Sequence, residues 1–224
     1  MAEEGWEPDI PEPGEDPARV KRRDRILELI VVAILSVTSL LTAVASFEAT
    51  RWAGEQSDHQ NEAARLQLDA SRAETDASAS VTIDMLAFSS FLDAYGSGNT
   101  ELADFYRQRF RDELLPAFNA WISTDPRNNP DAPNSPFEMP EYQLASRANA
   151  EAFDQQAEQE AELAIKAATA SEQYVQTVVL FAMILFLGGM SSRIALDEAR
   201  LGMVCLALLL LVASTVRLAT LPFA

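Results

Sequence analysis

The sequence predicts an all-α membrane protein. Three transmembrane helices are expected, with a long extracytoplasmic helical hairpin, capped by a small aromatic-rich helical head, between the first two. Three observations carry this. Apolar residues concentrate in three runs of spanning length. Two alanine-rich stretches with helical seam spacing flank a central segment. That segment gathers a dense set of aromatic residues.

The chain has 224 residues and a formal net charge of −17. A polyphosphate is repelled by such a charge, so nucleic acid is excluded as the expected partner. Basic residues cluster at Arg19, Lys21, Arg22, Arg23 and Arg25, directly before the first apolar run. That position suits anionic lipid headgroups. The single cysteine, Cys205, allows no intrachain disulfide and reads as a small packing residue.

Residues 1–25 form an acidic, proline-rich stretch ending in the basic cluster. With little to bury, they are expected to be a disordered cytoplasmic tail, solvated around Trp6. Spanning a bilayer takes about 20 apolar residues, and the runs at 26–47, 174–190 and 201–221 qualify. Ala43-Val44-Ala45 resembles a signal cleavage site. The apolar stretch exceeds the roughly 7–15 residues of a signal core, so an uncleaved anchor is expected. The basic cluster and the 191–200 loop, with Arg193 and Arg200, both belong on the cytoplasmic side of an inner membrane. Residues 48–173 and the C-terminus are then extracytoplasmic.

Ser36, Ser39, Ala43 and Ser46 recur at helical spacing in the first span and form a small-residue stripe suited to helix packing. Arg217, close to the outer end of the third span, is expected to snorkel to headgroups.

An outgoing arm at 48–82 carries a seam of Ala49, Trp52, Gln56, His59, Ala63, Leu66, Ala70, Ala73 and Ala77. The alternating spacing of three and four is the coiled-coil pattern. A returning arm at 142–173 carries Ala150, Phe153, Ala157, Ala161, Ala164, Ala168 and Ser171, with Val175 continuing into the second span. Each arm is expected to be roughly 45 Å long. Gln56 and His59 are polar seam residues that fix register. Alanine buries little area, so further helices are expected alongside, from copies of the chain or from a partner. Asp69–Arg72, Arg72–Asp76, Arg147–Glu151 and Glu162–Lys166 are helix-spaced ion pairs expected on solvated faces.

The head, at 83–141, holds Phe88, Phe91, Tyr95, Phe105, Tyr106, Phe110, Phe118, Trp121 and Phe137. Gly96 to Thr100 is a turn in which Asn99 or Thr100 caps the next helix, and Pro116 kinks or restarts that helix. A proline-rich loop follows from Thr124 to Tyr142. Trp121, Phe137, Met139 and Tyr142 are the candidate interaction residues there. The alternative is that the aromatics form a core closing the hairpin.

The segments WAGEQSDH at 52–59, FLDAY at 91–95, LADFYRQRFRDEL at 102–114, and AFNAW, TDPRNNPDAP and SPFEMPEY within 117–142 resemble a family of bacterial three-span inner-membrane proteins of unknown function. The resemblance covers most of the chain and implies the three-span architecture. It implies no activity and no catalytic residue.

No catalytic, cofactor or metal site is expected. His59 is the one histidine, and the carboxylates of an acidic helical surface pair by chance. The expected function is therefore non-enzymatic: a homo-oligomeric scaffold or accessory subunit presenting its extracytoplasmic domain for protein–protein interaction. The expected partners are membrane lipids and either a second copy or another membrane protein. The alternatives are a sensory, ligand-binding input module acting through a partner, and a channel or transporter component.

Overall fold

The structure, a computed structural model, describes residues 17–191, 193–194 and 197–223. The acidic stretch at 1–16 and loop positions 192, 195 and 196 lie outside the described residues. So do the side chains of Arg19, Lys21 and Arg23 in the basic cluster. All regular structure among the described residues is helical. The helices are α1 (Pro17–Gly96), α2 (Thr100–Arg107), α3 (Leu114–Ile122), α4 (Ala145–Ser191) and α5 (Asp197–Thr220), with a 3-10 turn at Pro136–Glu138. The described residues divide into two compact units, one within 17–56 and 165–223 and the other 57–164.

Among the described residues, three helices are long and apolar enough to cross a membrane: α1, α4 and α5. Two boundaries differ from the sequence expectation. Helix α1 starts at Pro17, so residues 17–25 are helical rather than part of a disordered tail. Proline at the first helical position loses no hydrogen bond, because that N–H has no intrahelical partner. Helix α1 also runs through residue 82 without a break and ends at Gly96.

In the first unit, Val31, Ile34 and Ala45 of α1 pack with Phe181 and Ile184 of α4 and with Val204, Ala207 and Leu218 of α5. A Cβ on Gly188 would fall 2.8 Å from Cδ2 of Leu35, which marks a close approach of α1 and α4. Leu29, Leu40 and Phe47 of α1, Phe186 of α4, and Leu209 and Val216 of α5 are exposed. Such an apolar surface suits lipid and not water. The carbonyl oxygen of Pro222 accepts hydrogen bonds from Trp52 Nε1 at 3.0 Å and from the Tyr174 hydroxyl at 2.9 Å, fastening the end of the α5 segment to α1 and α4.

In the second unit α1 and α4 run antiparallel. His59 meets Glu160, and residues from Gln67 to Ser78 face residues from Arg147 to Asp154. Ala63, Ala70 and Ala77 of α1 and Ala150, Ala157 and Ala164 of α4 are buried along this seam. Phe88, Phe91 and Ala94 of α1, Ala103 of α2, Phe110, and Leu114, Phe118 and Trp121 of α3 form an aromatic core. Rings meet edge-on, as at Phe91–Phe118 (4.9 Å) and Phe88–Trp121 (5.2 Å), the arrangement that ring quadrupoles favour.

The turn between α1 and α2 needs Gly98, at φ +78°. Asn99 then caps α2, its side chain accepting from the Leu102 N–H at 3.1 Å. Pro116 lies in the first turn of α3, so the chain restarts a helix there, after α2 has already ended at Arg107. The proline-rich loop is held down: Trp121 Nε1 donates to the Pro133 carbonyl at 2.7 Å, and Pro136 is buried.

Candidate functional site

The most constrained polar group of the second unit is Asp84, 1% exposed, on α1. It occupies the seam position that follows Ala63, Ala70 and Ala77 at intervals of seven. Its Oδ2 accepts from Arg111 Nη1 at 3.0 Å and from the Tyr142 hydroxyl at 3.0 Å. Arg111 also pairs with Glu113. Glu113 in turn accepts, at 3.0 Å, from the backbone N–H of Ala145, the first residue of α4. A carboxylate at a helix N-terminus satisfies an orphan donor and complements the helix dipole. One buried carboxylate thus ties α1, the α2–α3 linker, the loop before α4 and, through Glu113, the start of α4.

Chemically this cluster is a latch. Arg111 balances the Asp84 charge, so the pair offers a cation little. The Tyr142 phenol is pushed well above its ordinary value of 10.0, first by burial and then by its hydrogen bond to Asp84. It stays protonated and acts as a donor. Asp84 Oδ1 is buried without a hydrogen-bond partner, a cost that a fold sustains where the rest of the cluster holds it in place.

Grooves open on this unit, among them one of about 450 Å³ beside Phe110, Arg111, Asp112 and Glu113, and two more. One, of about 640 Å³, lies where Ala70 and Ala150 leave the seam thin, and its polar walls include Glu74, Arg147, Glu151 and Asp154. The other, of about 300 Å³, lies over Phe91, Ala103 and Phe118, with Tyr95 and Arg107 at its edge. Arg107 pairs with Asp104 at 3.6 Å, and the Arg127 guanidinium sits 5.6 Å from the Tyr95 ring centre.

No known protein family, curated protein or solved structure matches this chain. The resemblance to three-span bacterial proteins has no counterpart in these comparisons, and the residues themselves must carry the functional argument. Among the described residues, no group of three His, Cys, Asp or Glu side chains converges as a metal site.

The candidate interaction residues lie against the aromatic core. Trp121 is buried within it, and Phe137, Met139 and Tyr142 are half-buried on it. Phe137 meets Phe88 edge-on at 5.7 Å and Tyr142 at 5.1 Å. All four contact the core, and Phe137, Met139 and Tyr142 keep part of their surface exposed.

Gln56 and His59 are half-buried on the seam side of α1, and His59 Nδ1 lies 2.6 Å from Glu160 Oε2. Ser36, Ser39, Ala43 and Ser46 are all exposed. The packed side of α1 in that unit is the one bearing Val31, Ile34, Thr38 and Ala45, so the stripe is not a packing face within the chain. Cys205, expected to pack, is exposed. Arg217 donates to Gln176 Oε1 of α4 at 2.6 Å.

Of the expected ion pairs, Asp69–Arg72 forms at 3.2 Å, and Arg65 joins Glu62 and Asp69 beside it. Arg72–Asp76, Arg147–Glu151 and Glu162–Lys166 are absent from the ion pairs of the described residues. Sequence reasoning missed Asp84, Arg111 and the Pro222 clasp. The first of these had a signal: a charge at a seam position seven residues after Ala77.

Two outcomes test the latch. Asp84→Ala leaves Arg111 and Tyr142 without their buried partner and costs about 3–5 kcal/mol, read by chemical denaturation followed through tryptophan fluorescence. A phenol whose folded-state pKa lies above its unfolded value stabilises the fold fully below that value. The contribution is lost as pH rises past 10. Tyr142→Phe therefore flattens the loss of stability above pH 10 in the same denaturation series.

Proposed function

We propose that this chain is a multi-pass protein of the bacterial inner membrane that works as a homo-oligomeric scaffold or accessory subunit, not as an enzyme. Its N-terminus lies in the cytoplasm. Residues 48–173 stand outside as a helical hairpin capped by the aromatic head, and the C-terminus is outside too. The basic residues before the first span and in the 191–200 loop support this orientation.

The observation that carries the oligomer is the unused stripe. Ser36, Ser39, Ala43 and Ser46 lie in the apolar part of α1, and all are exposed while other residues of α1 meet α4 and α5. Lipid tails are as apolar as leucine, so helices in a bilayer do not associate by apolar burial. They associate where small residues let backbones approach and dispersion contacts form. A small-residue stripe that the chain does not use itself is available to the same stripe on another copy.

The groove over Phe91 and Phe118 favours a second reading, a ligand-binding input module that signals through a partner. Its size is at the lower end for small-molecule sites, and its apolar floor with a few polar edge groups matches their usual lining. A saturable ligand that raises the melting temperature, with the effect lost in Ala103→Leu, favours that reading over the scaffold.

Changing Ser39 and Ala43 together to leucine places bulk on the stripe without touching the chain's own packed face. The expected outcome is loss of self-association, measured by energy transfer between donor- and acceptor-labelled copies in liposomes. Unchanged transfer, with wild-type copies associated, contradicts the role given to the stripe.

A further inference from the structure

From Ala77 to Leu92, α1 carries one charged residue, Asp84, and that residue is buried. The exposed residues of this stretch are Ser78, Ala79, Thr82, Ile83, Met85, Leu86, Ser89 and Leu92. Ile83 is 57% exposed, Met85 54%, Leu86 66% and Leu92 40%. Over about 24 Å of helix α1 itself therefore places no charge on the outer surface, on a chain of net charge −17, and the charged walls of the Arg147 groove approach it only at Ser78. Exposed Asp76 and Asp93 bound the stretch at either end.

We infer that this face of α1 in the second unit is a self-association surface, occupied by the same face of a second copy. The inference deepens the scaffold reading and rests on it. Charge selects the occupant. Two copies carrying −17 each repel wherever their acidic surfaces meet, and this uncharged stretch is where that repulsion is least. Shape agrees with charge. A two-fold contact brings one patch against itself, so the patch must supply both projections and recesses. Here large Ile83, Met85, Leu86 and Leu92 alternate with small Ser78, Ala79, Thr82 and Ser89. The face also lies on the same continuous helix as an apolar run in every copy. Copies anchored in one bilayer meet at high effective concentration. A patch too small to hold a soluble dimer then suffices.

The test is cysteine cross-linking of the full chain in native membranes, in a Cys205→Ser background. Met85→Cys, oxidised with copper phenanthroline, is expected to give a disulfide-linked dimer at least tenfold faster than Gln155→Cys, an exposed α4 position. Adding Ile83→Glu and Leu86→Glu, both at exposed sites, is expected to abolish the Met85→Cys dimer while helical circular dichroism is unchanged. Equal rates at the two positions, with the chain still oligomeric by native mass, overturn this surface and leave the scaffold reading standing. A monomeric wild-type chain overturns both. A Met85→Cys adduct with a chain of different mass overturns the second copy as occupant.

Discussion

The second unit depends on a single buried carboxylate. Asp84 sits where α1 passes from an alanine seam to an aromatic core, and it holds Arg111 of the α2–α3 linker and Tyr142 of the loop before α4. A charge so deeply buried is tolerable only when its partners are held in place. Arg111 is held by Glu113 and Glu113 by the first N–H of α4. Changing one member exposes the rest, which makes the cluster a register device between the descending and ascending halves of the unit.

Around that latch the two kinds of packing have different energetics. The seam of Ala63, Ala70 and Ala77 against Ala150, Ala157 and Ala164 brings two backbones together but removes little apolar area from water. The aromatic core contributes far more per residue, and its edge-on rings add specificity. The consequence is a unit whose large side chains are mostly spent on one cluster. The apolar residues left outside it, Ile83, Met85 and Leu86 among them, lie on a helix that has no inward use for them. The first unit also has bulky apolar residues on its outside, and the small stripe of Ser36, Ser39, Ala43 and Ser46 is left facing out beside them.

Much of this was legible beforehand, because helical periodicity is a strong signal over long stretches. Every seam residue named on the outgoing arm, from Ala49 to Ala77, is at least partly buried. On the returning arm the residues named from Ala150 to Ser171 are at least partly buried, but Val175 is exposed and Tyr174 is buried instead. With Ala164, Ala167, Ala168 and Ala170 all small, the spacing fits two registers and composition does not choose between them. The boundary between outgoing arm and head at 82/83 is not a helix end: α1 continues to the predicted turn at Gly96, with Asp84 as its next seam residue. Periodicity reveals which face is distinctive, not what covers it, so the serine stripe could not be assigned to contacts within or between chains. The aromatic loop was ambiguous for the same reason, and only the contacts of Phe137 and Tyr142 place it against the core.

The central claim is that the chain assembles with itself through surfaces it does not use internally. Native mass spectrometry of the gently solubilised, C-terminally tagged chain tests this most directly. The account predicts a species at an integer multiple, two or more, of the tagged 24.6 kDa chain. A monomer, or a complex whose additional mass belongs to a different protein, contradicts it.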